Sequence, residues 1–388
     1  MVAALRRLRT LACIGAALLI ALTTDAAPRP LSSATAEQLA KQLASVVSTP
    51  EQYVVNKFER VDVVLLAEEH ALRHNLLLAQ RLIPLLHQAG VYNFGMEFGA
   101  NEDQAALDAL VTGARYDEAQ ARRIMFSYNV GWAFQEYMDI YRAAWQLNRS
   151  LPPGARKFRI LNLSYRYDYA SFTGARTPAA MAKVYHKGSA DAFRANVVQR
   201  EILARGEKLL VLTGSVHAFT RYQMPLPDYN ADGFWRLEDR HLGNRLQRLA
   251  PGRVATIVLH QPFPGKFGGQ RYPAGGALDQ VLTQLGSRPV GFDLTGTIGE
   301  LADDSYYSIG HPDFRLRDLA DGYIYEMPFE RFQGCQIDEH FLTEQNWPQA
   351  RREIPDFPGI HPPPATREHY LQKIREYVDI RQRYRDLN

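Results

Sequence analysis

The stretch from Val61 to Gly99 constrains the fold more than any other part of the chain. It reads VDVVLLAEEHALRHNLLLAQRLIPLLHQAGVYNFGMEFG. The apolar run 63–66 predicts a buried strand, a helical pattern follows, and a second apolar run ends at Met96 and Glu97. A strand, a helix and a strand in this order predict two parallel strands joined by a crossover helix.

Further apolar runs alternate with helical stretches along the rest of the chain, at 158–163, 209–212, 253–260, 289–294 and 323–325. This alternation predicts an α/β fold with a mostly parallel β-sheet covered by helices on both faces. Residues 101–150 contain helical periodicity and no strand-like run. We therefore expect a helical insertion there, within a single α/β domain that spans 27–354.

The two ends of the chain differ from this domain. Three arginines precede the apolar run Leu11 to Leu22, and Thr24-Asp25-Ala26 supplies small residues at a cleavage site. Residues 1–26 are therefore predicted to be a signal peptide, which places the mature protein in the periplasm or outside the cell, without a stable membrane span. Residues 355–388 are predicted to be a proline-rich link and a last helix.

Net charge argues against nucleic acid as a partner. The formal charge of the whole chain is +3. Cleavage removes three arginines and Asp25, a net +2, so the mature chain carries about +1. The sequence thus favours a small-molecule or peptide substrate over a nucleic acid.

Polar groups that could carry chemistry follow the predicted strands. The segments VVLLAEEHAL and LLVLTGSVHAF share one plan, in which an apolar run leads through a short turn to a histidine and an alanine. This plan places His70 and His217 at equivalent positions, with Glu68, Glu69 and Glu97 nearby. Ligands of open parallel sheets bind at the carboxyl edge, where these turns would lie.

Carboxylates and imidazoles suit two kinds of chemistry. They can activate water as a general base with an orienting partner, or they can bind zinc, manganese or iron. His70 and His74 are four residues apart and would share a helix face if the helix began at His70. The intervening residues match neither the HExxH nor the HxxEH pattern, so His74, like Glu69, is a secondary ligand candidate.

Three of these motifs, in this order, resemble the superfamily that joins erythromycin esterases, ChaN-like haem-uptake proteins and the Tiki/TraB group. They are the turn after 63–67 with Glu68 and His70, the strand ending at Glu97, and the turn Gly214-Ser215-Val216-His217. Arg194-Ala195-Asn196 and the Trp132 to Asn148 stretch with Glu136 support the resemblance, while Ala67 stands where a glycine is usual. The resemblance covers roughly 61–258 and implies an α/β fold with Glu68, His70, Glu97 and His217 around one pocket.

Two functional hypotheses follow. The first is an exported hydrolase of the esterase or peptidase type, in which His70 is the general base, Glu68 or Glu97 orients it, and His217 with Arg194 stabilises the oxyanion. A divalent metal would have the same carboxylates and imidazoles as ligands. The alternative is a haem- or metal-binding protein without turnover. The segment from Asp228 to Asp239 partly fits a calcium loop, but Arg236 occupies a ligand position, so we expect a polar turn there.

Overall fold

A computed structural model describes residues 30–172, 174, 177–355 and 364–387. The strands are β1 Val63–Glu68, β2 Asn93–Ala100, β3 Arg159–Ser164, β4 Leu209–Gly214, β5 Met224–Pro227, β6 Trp235–Glu238, β7 Val254–Leu259, β8 Phe263–Pro264, β9 Gln270–Arg271, β10 Val290–Asp293 and β11 Gly322–Tyr325. Seven of them form one sheet in the order β10-β11-β7-β1-β4-β2-β3, and two hairpins, β5 with β6 and β8 with β9, lie outside it.

All seven apolar runs of the sequence form the strands of this sheet. Every pairing in it is parallel except that of β10 with β11. The predicted α/β fold with a mostly parallel sheet is therefore confirmed. The runs are apolar throughout because each strand is buried on both faces, as in parallel sheets generally.

Helices cover the two faces of the sheet. They are α1 Ser33–Ala44, α2 Pro50–Lys57, α3 Arg73–Gln88, α4 Gln104–Thr112, α5 Glu118–Tyr128, α6 Gln135–Ser150, α7 Pro178–Val184, α8 Ala190–Glu201, α9 Ser215–Ala218, α10 Leu242–Leu249, α11 Ala277–Gln284, α12 Gly296–Gly299, α13 Leu316–Leu319, α14 Trp347–Ala350, α15 Arg367–Val378 and α16 Ile380–Arg383.

Alternate residues of β1 belong to the two larger of three hydrophobic cores in the described residues. Val64 and Leu66 pack with α3, α4, α5 and α6, whereas Val63 and Leu65 pack with α1, α8, α10 and α11. Successive side chains of a strand point to opposite faces, so this division follows from the pleat.

Residues 101–150 contain α4, α5 and α6 and no strand, as the sequence predicts. The last helical stretch is interrupted at Asp379, so that two helices, α15 and α16, stand where one was expected. The predicted signal peptide and most of the proline-rich link lie outside the described residues. Within the described ranges, no helix has the length and apolar character needed to cross a bilayer.

Candidate active site

Two turns at the carboxyl edge of the sheet form the centre of the site. β1 and β4 are neighbours in parallel register, with Glu68 opposite Gly214. His70 lies in the turn after β1, and His217 lies in the short helix α9 directly after β4. The two turns that contain His70 and His217 are therefore neighbours in space, because β1 and β4 end side by side.

Each histidine is held by a buried carboxylate, and for His70 this is Glu68. Nδ1 of His70 lies 3.0 Å from Oε1 of Glu68, and the Tyr137 hydroxyl donates a 2.6 Å hydrogen bond to the same oxygen. The Glu68 side chain is completely buried, whereas that of His70 is 28% exposed. The buried Glu68 thus holds the imidazole at Nδ1, while part of the ring is accessible to solvent.

Burial and the hydrogen bond between Glu68 and His70 shift the pKa of both residues. Burial raises the pKa of Glu68 above its usual range, against the hydrogen bonds from His70 and Tyr137. For His70, burial lowers the pKa, but the hydrogen bond and charge of Glu68 and the charge of Glu97 outweigh it and raise the pKa. Both shifts favour retention of a proton by the pair.

Glu97 lies between the two turns and is ionised. It accepts hydrogen bonds from Arg194 Nη2 at 3.0 Å, Thr213 Oγ1 at 2.6 Å and the Gly214 backbone N–H at 2.9 Å. Burial would raise its pKa, but the charges of Arg194, His217 and His70 outweigh burial and lower the pKa to about 2.

The absence of a side chain at Gly214 leaves room for the His70 ring. A Cβ at this position would lie 2.7 Å from His70 Cε1, 2.8 Å from His70 Nε2 and 3.7 Å from Glu97 Oε2. On the other side, Glu97 Oε1 is 3.6 Å from His217 Nε2. The structure thus brings Glu68, His70 and His217 to the part of the sheet edge where Glu97 lies.

The carboxylate that holds His217 is Asp191, which sequence reasoning missed. Oδ2 of Asp191 lies 2.8 Å from Nδ1 of His217 and 3.1 Å from Nδ1 of His241. Asp191 belongs to the first turn of α8 and His241 is the N-cap of α10, so neither follows a strand of the main sheet. The spacing of Asp191 three residues before Arg194, on one face of a helix, was the available signal.

Arg194 does not fit the oxyanion-binding role predicted for it. Its guanidinium donates hydrogen bonds to Glu97 at 3.0 Å, to Asp191 at 2.9 Å and to Ser164 at 2.9 Å. The side chain is only 3% exposed. Its contacts make Arg194 an internal anchor that holds the two carboxylates.

The two secondary ligand candidates are directed elsewhere. Glu69 forms an ion pair with Arg383 of α16, and Arg383 also donates a 2.9 Å hydrogen bond to the His70 carbonyl. The condition under which His74 would share a helix face with His70 is not met, because α3 begins only at Arg73. His74 is buried with its ring centroid 4.3 Å from that of Phe332.

Backbone pairing explains the late start of α3. Arg73 N–H donates to the Gln333 carbonyl at 2.9 Å, and Cys335 N–H donates to the Ala71 carbonyl at 3.0 Å. After a turn at His70 and Ala71, Leu72 is therefore extended and forms an antiparallel bridge with Gly334 before the chain enters the helix. A partner 260 residues away in the sequence gives no local signal.

Aromatic rings form one wall beside His70. The imidazole meets Phe98 and Trp132 edge to face, with ring centroids 5.1 and 5.5 Å away, and these two rings stack on each other. These aromatic contacts pack against one side of the imidazole and help to fix its orientation.

One group of metal-ligating side chains is closely spaced in the described part of the chain. It comprises Asp191, His217 and His241, whose ligand atoms lie within 4.8 Å of one another. The set proposed from the sequence shares only His217 with this group. In the segment that resembles a calcium loop, residues 228–234 connect the hairpin strands β5 and β6, and Asp228 lies 3.8 Å from Arg236.

The fold and this cluster define an α/β protein with a histidine and carboxylate site at the carboxyl edge of a parallel sheet. No protein-family model matches the sequence, and no curated protein does. Among solved structures, a succinoglycan biosynthesis protein is similar at a TM-score of 0.50, with 10% identity over 76% of this chain and 98% of the other.

The solved structures similar to this chain also include proteins from the superfamily that the motifs resemble. One is an erythromycin esterase mutant in its open conformation, with a TM-score of 0.46 and 11% identity over 70% of this chain and 90% of the other. Another is ChaN of Campylobacter jejuni with cofacial haem, with a TM-score of 0.36 and 14% identity over 54% and 86%.

Proposed function

We propose that this protein is an exported hydrolase of the esterase or peptidase type, with His70 and His217 as its catalytic residues. The observation that carries the proposal is a pair of imidazoles, each held at Nδ1 by a buried carboxylate, with Nε2 of His70 beside Gly214 and Nε2 of His217 3.6 Å from Glu97. Perturbed titratable groups that converge in this way are typical of sites for proton transfer.

His70 is the general base in this proposal. Because Nδ1 binds Glu68, the neutral imidazole carries its proton there and leaves Nε2 free to accept one. Nε2 takes a proton from water, the resulting hydroxide attacks the carbonyl carbon of the substrate, and the leaving group departs with that proton. Because the pKa of His70 is raised, its neutral, proton-accepting form predominates only at a higher pH than that of an ordinary histidine.

His217 stabilises the developing oxyanion. Its side chain is 27% exposed, so a substrate oxygen can reach the ring while Asp191 holds it at Nδ1. Arg194 takes a positioning role, because its guanidinium donates its hydrogen bonds in the described structure to Glu97, Asp191, Ser164 and Tyr167.

Turnover of a panel of carboxylic esters and short peptides tests the proposal. His70→Ala and His217→Ala should each lower kcat/KM by at least about 100-fold, the usual contribution of an acid–base residue, with an unchanged circular dichroism spectrum. His369→Ala is the matched control, since His369 is exposed on α15. Full activity of either site variant on a substrate that the wild-type protein turns over would contradict the proposal.

Export and haem binding remain predictions with their own measurements. If residues 1–26 are a signal peptide, protein purified from the periplasm begins at Ala27. If the protein binds haem, adding haem produces a Soret band that a histidine or tyrosine variant loses. A flat titration would reject haem binding and leave the hydrolase proposal standing.

A further inference from the structure

We propose that Asp191, His217 and His241 bind a divalent transition-metal ion of the zinc type. This extends the proposed function by adding a cation to the same site, through a set of ligands that shares only His217 with the set that the sequence suggested. Each of the three belongs to a different element, with Asp191 on α8, His217 on α9 and His241 at the start of α10.

The spacing of the ligand atoms fits a metal ion. Oδ2 of Asp191 lies 2.8 and 3.1 Å from the Nδ1 atoms of His217 and His241. All three ligand atoms lie within 4.8 Å of one another. Ligands about 2.0–2.1 Å from a tetrahedral zinc ion are about 3.3 Å apart, so side-chain shifts of at most about 1.5 Å would bring the three to one ion. Two imidazoles and a carboxylate leave a coordination position open, which is the composition of catalytic rather than structural sites.

The surrounding contacts resemble those that orient metal ligands. Arg194 holds Oδ1 of Asp191 at 2.9 Å, which leaves Oδ2 directed at the two imidazoles. With Nδ1 of His217 on a metal, its Nε2 carries the proton and faces Glu97 Oε1, 3.6 Å away. Metal-bound histidines commonly donate their second N–H to a carboxylate in this way.

Charge also favours a cation at this position. The carboxylates of Glu97 and Asp191 share the single guanidinium of Arg194. One negative charge therefore remains beside the imidazoles of His217 and His241. A bound divalent ion would offset that charge and would supply Lewis-acid activation of a water or a carbonyl oxygen.

Metal titration of the full chain tests the site without reference to turnover. After treatment with a chelator and dialysis, Zn²⁺ binding is measured by calorimetry and Co²⁺ binding by visible absorption. We expect one ion per chain, with ligand-field bands of a low-symmetry site. His241→Ser should weaken binding at least about 100-fold while its hydroxyl still caps α10, and His217→Ala should do the same.

His70→Ala separates this site from the one suggested by the sequence. It should leave Zn²⁺ affinity within a few-fold of wild type, as should His369→Ala on the surface. No binding by the wild-type chain, unchanged affinity in His241→Ser, or a loss in His70→Ala equal to that in His217→Ala would each overturn the proposal. Turnover without metal binding would support the hydrolase proposal and overturn the metal site. Metal binding without turnover would support the metal site and contradict the hydrolase proposal.

Discussion

Gly214→Ala tests the geometry of the site with the addition of one methyl group. The backbone of Gly214 has φ −55° and ψ 143°, which alanine adopts without strain. The new Cβ would lie 2.7 Å from His70 Cε1 and 2.8 Å from its Nε2. The substitution therefore acts on the His70 ring rather than on the main chain.

The size of the effect follows from these distances. Ordinary van der Waals contact begins near 3.4 Å, so the ring must retreat by the difference from 2.7 Å, about 0.7 Å. A displacement approaching 1 Å in a catalytic group costs on the order of 100-fold in rate. Because the His70 side chain is 28% exposed, it can move toward solvent, and the loss of stability should stay below about 2 kcal/mol.

Kinetics and NMR together provide the assay. We expect kcat to fall by on the order of 100-fold and the imidazole resonances of His70 to shift, with its pKa closer to the ordinary value as the Glu68 hydrogen bond lengthens. Gly95→Ala is the control, because its Cβ would meet Leu163 Cδ1 at 3.0 Å, in β2 but away from the histidines.

A wild-type kcat in Gly214→Ala, with unchanged His70 resonances, would refute the assignment of His70 to a reacting position beside Gly214. Equal losses of activity in Gly214→Ala and Gly95→Ala would show that general overpacking of the sheet, rather than the His70 contact, sets the rate.

The remaining predictions concern charge and support around the same turn. Glu68→Gln removes the carboxylate that raises the pKa of His70, so the rise of kcat/KM with pH should move to lower pH; an unmoved profile would exclude His70 as the titrating base. Glu97 has its pKa lowered to about 2, so its contribution to stability, on the order of 3 kcal/mol, is present above about pH 4.5 and lost as the pH falls toward 2. Urea unfolding should therefore show the stability gap between wild type and Glu97→Gln closing across that range. Arg383→Ala removes the hydrogen bond to the His70 carbonyl and should lower kcat with little change in the melting temperature. Arg383→Lys should restore part of the lost kcat.

Much of the fold was accessible from local sequence because buried parallel strands are continuous apolar runs. The seven runs were recognisable one by one, and the turns that hold His70 and His217 were predictable as the ends of two of them. Their contact follows from the pairing of β1 with β4, which the shared plan of the two segments suggested.

The sequence by itself determined which side chains stand at the carboxyl ends of the strands, and so the chemistry of Glu68, His70, Glu97 and His217. Only the tertiary structure decided the partners of these groups. Asp191 on α8 holds both His217 and His241, Arg194 forms ion pairs with two carboxylates, and residues 333–335 pair with the backbone between Ala71 and Arg73. Hydrogen bonds between distant segments depend on how crossovers pack, and no local periodicity carries that information.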